Sequence, residues 1–221
     1  MFVRMWMTED VITAPPDTPI LEARDTMKQH MIRRLPVVDD GRLVGIASQG
    51  DIQEAGPSGA TSLSIWELNY LLARITVGEV MTSVDELVAI SPDDTIEKAA
   101  MLMRKHRIGG LPVVEGTDRL VGMITESDIF DVLIEALGID RDGTRLTLEL
   151  EDRPGALAEA LDILKGHDAN VLSILSCDEC RSSADHDVVV LRIDHFDWRG
   201  IVKDLKDHGI TVLDSQTTAQ K

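Results

Sequence analysis

Leu35-Pro36-Val37-Val38-Asp39-Asp40-Gly41-Arg42-Leu43-Val44-Gly45-Ile46 decides the fold, because it occurs twice. It returns as Leu111-Pro112-Val113-Val114, a polar stretch from Glu115 to Asp118, and Arg119-Leu120-Val121-Gly122-Met123. Each copy reads as strand, turn, strand, with strands over Leu35 to Val38, Leu43 to Ala47, Leu111 to Val114 and Leu120 to Ile124. The match widens in both directions. Met7-Thr8 corresponds to Met81-Thr82, Pro16-Asp17 to Pro92-Asp93, and Ser48 with Asp51-Ile52 to Thr125 with Asp128-Ile129. Pro16-Asp17-Thr18 and Pro92-Asp93-Asp94 predict helix starts. Behind them Ile20, Ala23, Met27 and Met31, then Ile96, Ala99, Ala100 and Met103, recur at helical spacing, and the methionines Met27, Met31, Met101 and Met103 are expected in the core rather than in a cofactor box. Closing helices are expected to open near Gly50 and Ser127. One unit of about 50 residues buries too little surface to stand alone, so the two copies should share a core.

The Leu-Pro-Val-Val strands, with Gly45-Ile46-Ala47-Ser48-Gln49-Gly50-Asp51 and Gly122-Met123-Ile124-Thr125-Glu126-Ser127-Asp128, resemble CBS repeats, which pair into a Bateman module. The resemblance implies one repeat over residues 1–54 and a second over 77–138. Residues 55–76 read as a linker with a helix, its apolar stripe made by Ile65, Leu68, Leu71 and Leu72. The linker from Thr61 to Leu72 is similar to that of acetoin-utilisation proteins of the AcuB type, which implies control of acetoin catabolism.

A hydroxyl and a carboxylate three residues apart at a strand exit, Ser48 with Asp51 and Thr125 with Asp128, can bond the paired hydroxyls of a ribose. The helix that follows offers backbone N–H groups to phosphate. The same pattern is also an ordinary helix cap, worth about 0.5–2 kcal/mol. In CBS repeats the matching aspartate holds ribose, which points to Asp51 and Asp128. Lys28 to Arg34 and Arg104 to Arg107 are islands without acids in an acidic chain, and each precedes a Leu-Pro-Val-Val strand. Such cations can bind phosphate or complement a helix C-terminus. Arg33 and Arg34 align with Gly109 and Gly110, so the two sites should differ: one holds a phosphate directly, the other lets backbone approach. The base would lie near Met7, Thr8 and Ile12, or near Met81, Thr82 and Val88, residues that could equally be core. A micromolar adenine nucleotide requires about −8 kcal/mol.

Beyond Gly138 the pattern changes. Leu146, Leu148 and Leu150 alternate as a strand, and Leu157, Ala160, Leu161 and Leu164 follow at helical spacing. Val171 to Ser176 and Val188 to Ile193 read as strands. Asp197 can cap a helix through Ile201, Val202 and Leu205, which Gly209 ends before a strand from Ile210 to Leu213. The order is βαββαβ, a ferredoxin-like arrangement, and the whole chain is α+β. The strand–Asp152-Arg153-Pro154-Gly155-Ala156-Leu157–helix signature resembles an ACT domain over residues 143–216. That resemblance implies an amino acid or other small effector bound where paired domains meet, with Asp152, Pro154, Gly155, Asn170 and Ser173 as its residues. The bland alternative is a good helix start in a domain that only dimerises.

Composition bounds the rest. A net charge of −17 over 221 residues, with 43% hydrophobic and 28% charged residues, suits a globular protein and opposes general binding to nucleic acid or anionic membranes. No membrane span and, in Met1 to Asp10, no secretory leader are visible. With only Cys177 and Cys180 there is no disulfide framework, which favours a reducing cytoplasm. Cys177-Asp178-Glu179-Cys180 with His186 and His195 lacks the regular four-ligand spacing of structural zinc, so a loop with thiols and no metal is expected. There is no nucleophile elbow, P-loop or zincin motif. The expectation is therefore a non-catalytic, homodimeric regulatory protein needing no cofactor. An adenine nucleotide (AMP, ATP or NAD-like) would act as regulatory ligand; the alternative is a dimerisation adaptor with unfilled pockets.

Overall fold

The computed structural model describes residues 1–56, 72–177 and 185–218. They form two compact units, Met1–Ile129 and Phe130–Lys221. Most of the expected linker helix, including Ile65, Leu68 and Leu71, lies outside the described residues. Leu72 and Ile75 pack against the core of the first repeat.

In the first unit the repeat is visible element by element. Helix α1 (Ile20–Gln29) leads to β1 (Arg34–Asp39), β2 (Arg42–Ser48) and α2 (Gln49–Glu54). After a short turn α3 (Val77–Val80) and β3 (Thr82–Ser83), the second copy is α4 (Ile96–His106), β4 (Gly110–Glu115), β5 (Arg119–Thr125) and α5 (Glu126–Leu137). The β1–β2 turn needs two left-handed residues, which Asp40 (φ 46°) and Gly41 (φ 79°) supply. Both hairpins shift register at the same place, Val37/Val38 and Val113/Val114. Ile20, Ala23 and Met27 of α1 are buried with Leu35, Val37 and Ala47 of the sheet.

Met31 departs from the expectation of a core position. Helix α1 stops at Gln29, and Met31 turns left-handed (φ 54°) so that Ile32 N–H reaches the Met27 carbonyl at 2.9 Å. The side chain is left 92% exposed. Arg107 (φ 56°) does the same in the second copy, with Ile108 N–H on Met103 O. This is a helix stop in which glycine is usual, so spacing alone runs past the end of the helix at Gln29. Met101 is also exposed, whereas Met27 and Met103 are core.

The repeats exchange their leading segments. Thr8 bridges Met123 on β5, while Thr82 of β3 pairs with Ile46 on β2. Further upstream, Phe2 bridges Thr95 and Thr76 bridges Pro19, so each repeat also begins against the other's first helix. Arg4 and Asp93 form an ion pair at the same seam. Gly45 and Gly122 lie under the exchanged segments. A Cβ on Gly45 would stand 2.5 Å from Met81 Sδ and 2.6 Å from Thr82 O; one on Gly122 would stand 2.7 Å from Met7 Sδ.

The second unit has a four-stranded antiparallel sheet in the order β7-β8-β6-β9. Its strands are β6 (Gly143–Glu151), β7 (Val171–Cys177), β8 (His186–Ile193) and β9 (Thr211–Thr218), with α6 (Ala156–Gly166) and α7 (Trp198–Asp207) between them. This is the expected βαββαβ order. Leu146, Leu148 and Leu150 alternate toward Ala160, Leu164, Ile201 and Leu205 in one core. Asp197 precedes α7, but its side chain makes no capping hydrogen bond. Cys177 is disulfide-bonded, against the expectation of plain thiols; Cys180 lies outside the described residues. Such a bond needs a second cysteine whose Cα lies within about 7 Å and whose Cβ points toward the first.

Replacing Gly45 by Ala should cost about 1–3 kcal/mol, because the methyl group must displace backbone of the exchanged strand. Gly166→Ala, in open space at the end of α6, should be neutral or stabilise by a few tenths of a kcal/mol. Denaturant unfolding of the two variants checks the contrast; equal behaviour would count against the seam.

Candidate functional site

The exchange creates a cavity of about 580 Å³ in the first unit, with walls from both repeats. Thr8, Ile12, Arg33 and Arg34 come from the first repeat; Gly109 and Thr125 come from the second. The size falls within the range for small-molecule sites, about 300–1,000 Å³. The sequence reading grouped each site within one repeat, and the structure regroups them. Because Thr8 is laddered to Met123, with N–H···O distances of 2.9 Å both ways, the first repeat's leading segment faces the second repeat's Thr125. By the same logic Thr82, on β2, lies on the side of Ser48. Ser48, Asp51, Thr82, Val88, Gly110 and Asp128 are not in the wall of this cavity.

Asp10, Val11, Met31, Ile32, Pro36, Met123, Glu126 and Ser127 line it as well. Glu126 and Ser127 were within reach of the sequence reading, since they lie inside the Thr125-x-x-Asp128 pattern. Asp10 and Met31 carried no local signal.

The polar pairs at the strand exits serve as helix caps. Asp51 Oδ2 accepts from Ser48 N–H at 2.7 Å, and Ser48 Oγ accepts from Asp51 N–H at 3.2 Å. Asp128 Oδ2 accepts from Thr125 N–H at 2.6 Å and from Thr125 Oγ1 at 2.8 Å. The Oδ1 atoms take no part in these caps. Capping and ligand binding are therefore compatible: the cap fixes the carboxylate and leaves one oxygen over.

Arg34 is the half-buried charge of the cavity. Burial pushes its pKa down, the Glu126 carboxylate opposes that shift, Arg33 adds to it, and Asp51 opposes it. A guanidinium stays charged in any protein, so the cost of burial is met by anions. Asp51 and Glu126 belong to different repeats, which places Arg34 between the two strand exits.

The residues expected to hold an ACT effector do not form one site. Gly155 (φ 96°) opens α6, and Asp152 N–H donates to Asp185 O. Between them Arg153 is tied to Glu151 at 2.6 Å and to both oxygens of Glu159 at 2.9 and 2.7 Å. Asn170 N–H donates to Asp194 Oδ1, and Ser173 Oγ donates to Leu137 O. Ser173 pairs with Arg192, which pairs with Arg145. Asp152 lies seven positions further along β6, roughly 23 Å away at about 3.3 Å per residue. Because β6 and β7 run parallel on either side of β8, the start of one strand cannot meet the end of the other within one domain.

A shallower cavity of about 570 Å³ in the second unit is lined by Glu159, Asp162, His167, Asp204 and His208, among others. His167 Nε2 lies 2.8 Å from Asp204 Oδ2 and ties α6 to α7. Among the described residues no group of three or more His, Cys, Asp or Glu could hold a metal, and no helix is long and apolar enough to cross a membrane.

CBS domains match residues 3–58 and 77–135, more than half of the chain. The chain belongs to the CBS domain family. Residues 142–216 of this CBS protein match the TTHA0829-like ACT domain. A CBS domain-containing protein of Dictyostelium discoideum is 34% identical over 138 residues, 62% of this chain and 94% of that protein. An inosine-5′-monophosphate dehydrogenase of Korarchaeum cryptofilum is 31% identical over 125 residues, 57% of this chain but only 23% of its own length. Three solved CBS structures are similar. The CBS pair of protein MJ0100, in complex with 5′-methylthioadenosine and S-adenosyl-L-methionine, is 30% identical with a TM-score of 0.50, covering 64% of this chain and 98% of that one. CBSX2 in complex with AMP is 27% identical with a TM-score of 0.50, covering 63% and 98%. An acetoin-utilization candidate (AcuB) of Vibrio cholerae is 31% identical with a TM-score of 0.52, covering 63% and 95%.

Asp128→Ala in this CBS protein should lower the unfolding free energy by about 0.5–2 kcal/mol without any ligand, through loss of the cap. Guanidinium unfolding of the free protein checks it; an unchanged midpoint would mean that the cap contributes nothing.

Proposed function

We propose that this CBS–ACT protein is a non-catalytic regulator whose CBS pair binds an adenine nucleotide or adenosyl compound in the cavity between the repeats. The observation that carries the reading is the cavity itself, where a half-buried arginine, a second arginine and a capped helix start converge from both repeats. Arg33 and Arg34 take the phosphate, and the apolar wall at Val11, Ile12 and Met123 takes the base. Thr125 takes the ribose from the wall, and Asp128, hydrogen-bonded to Thr125 just outside that wall, is proposed to reach the same hydroxyls through Oδ1. Support comes from the similar CBS structures solved with AMP and with adenosyl ligands. A second and less cationic site is proposed at the counterpart position, from Thr82, Val88, Ser48 and Asp51 with the backbone at Gly110.

For the ACT domain, a small effector would have to join Asp152, Pro154 and Gly155 of one copy to Asn170 and Ser173 of another, which requires a homodimer. Pure dimerisation is the second reading there, favoured by Arg153, whose donors are already engaged by Glu151 and Glu159. Control of acetoin catabolism is proposed on the likeness to the AcuB candidate.

Thermal unfolding in the presence of AMP, ATP, NAD and S-adenosylmethionine tests the nucleotide reading. A ligand at 100 times its Kd should add about 2.7 kcal/mol of stability. Arg34→Ala should weaken AMP about tenfold or more, since it removes a charge-assisted contact. Silence from all four ligands at millimolar concentration would falsify the proposal.

A further inference from the structure

The cavity carries an anion of its own. Glu126 lies on its wall between Thr125 and Ser127, on the second repeat. Its Oε2 and the Nη2 of Arg34, from the first repeat, converge on the bare backbone of Gly109: a Cβ there would stand 2.8 Å from either atom. The Arg34 stem runs on past Gly110, with Cδ 3.6 Å from where a Cβ would be. Two successive residues without side chains thus make the room in which a cation of one repeat faces an anion of the other. Arg34 is half-buried, so its position is held, whereas Glu126 is exposed and can swing away.

The charged groups of the wall are balanced, Asp10 and Glu126 against Arg33 and Arg34. Two unmatched arginines would reward each added phosphate. Here a ligand phosphate at Arg34 must overcome the attraction of the nearby Glu126 carboxylate for the same guanidinium.

We propose that Glu126 is a specificity-determining residue that competes with ligand phosphate for Arg34, so that the cavity selects adenosyl ligands of low negative charge over nucleoside polyphosphates. This rests on the adenine-nucleotide reading of the same cavity. The attraction between Glu126 and Arg34, as unit charges about 6 Å apart at an effective dielectric constant of about 40, changes phosphate affinity roughly tenfold when the phosphate has to overcome it. Adenosine, which carries no phosphate, is indifferent to it.

The test is calorimetry on the full chain with adenosine, AMP and ATP, comparing the natural protein with Glu126→Gln and with Arg34→Ala alone and combined. Glu126 is exposed, so its substitution leaves folding intact, and the unfolding midpoint verifies this. The natural protein should bind AMP more tightly than ATP. Glu126→Gln should tighten AMP roughly tenfold and ATP by more, with adenosine moving less than about twofold. In the Arg34→Ala background the gain for AMP should fall below about threefold. The proposal is overturned if AMP and adenosine shift together, if neither shifts, or if the gain survives without Arg34. If none of the three ligands binds either form, the nucleotide reading itself fails and this inference falls with it. If adenosine and AMP bind with an unmoved ratio, only the role of Glu126 is lost.

Discussion

Two short antiparallel bridges between the repeats, Thr8 with Met123 and Thr82 with Ile46, constrain the rest of the first unit. Each takes a segment that precedes one repeat and lays it on the inner strand of the other. Backbone must come close for this, and Gly45 and Gly122 are where it does. Neither repeat is therefore a complete structural unit, since each lacks the strand that the other supplies. The cavity follows from the same crossing, because its wall is drawn from both copies.

The backbone of the pair is nearly symmetric, down to matching register shifts and matching left-handed helix stops. Chemistry breaks that symmetry at several positions, one pair of them in the cavity wall. Arg33 and Arg34 stand where the second copy has Gly109 and Gly110. One substitution pattern does two things at once: it puts cations into one cleft and clears space for the longer arginine on the opposite wall.

Much of this was legible in the sequence. The duplicated Leu-Pro-Val-Val hairpins, the βαββαβ order after Gly138 and the arginine-to-glycine asymmetry all follow from local spacing. The pairing of clefts across the repeats was not legible, because segment exchange leaves no mark on hydrophobic period: Thr8 looks the same whether it lies on β2 or on β5. Met31 misled for a related reason. A left-handed non-glycine stop is a tertiary outcome, and the apolar spacing runs through it. Asp152 and Ser173 each resembled part of an effector site, but sequence spacing says nothing of the sheet that keeps them at opposite ends.

The composite cleft is the central claim, and backbone amide chemical shifts during an AMP titration test it most directly. The account predicts that Thr8, Arg34, Gly109 and Thr125 respond together with one Kd, although they come from two repeats. A response of Thr8 and Arg34 shared with Ser48 and Asp51, while Gly109 and Thr125 stay still, would contradict it.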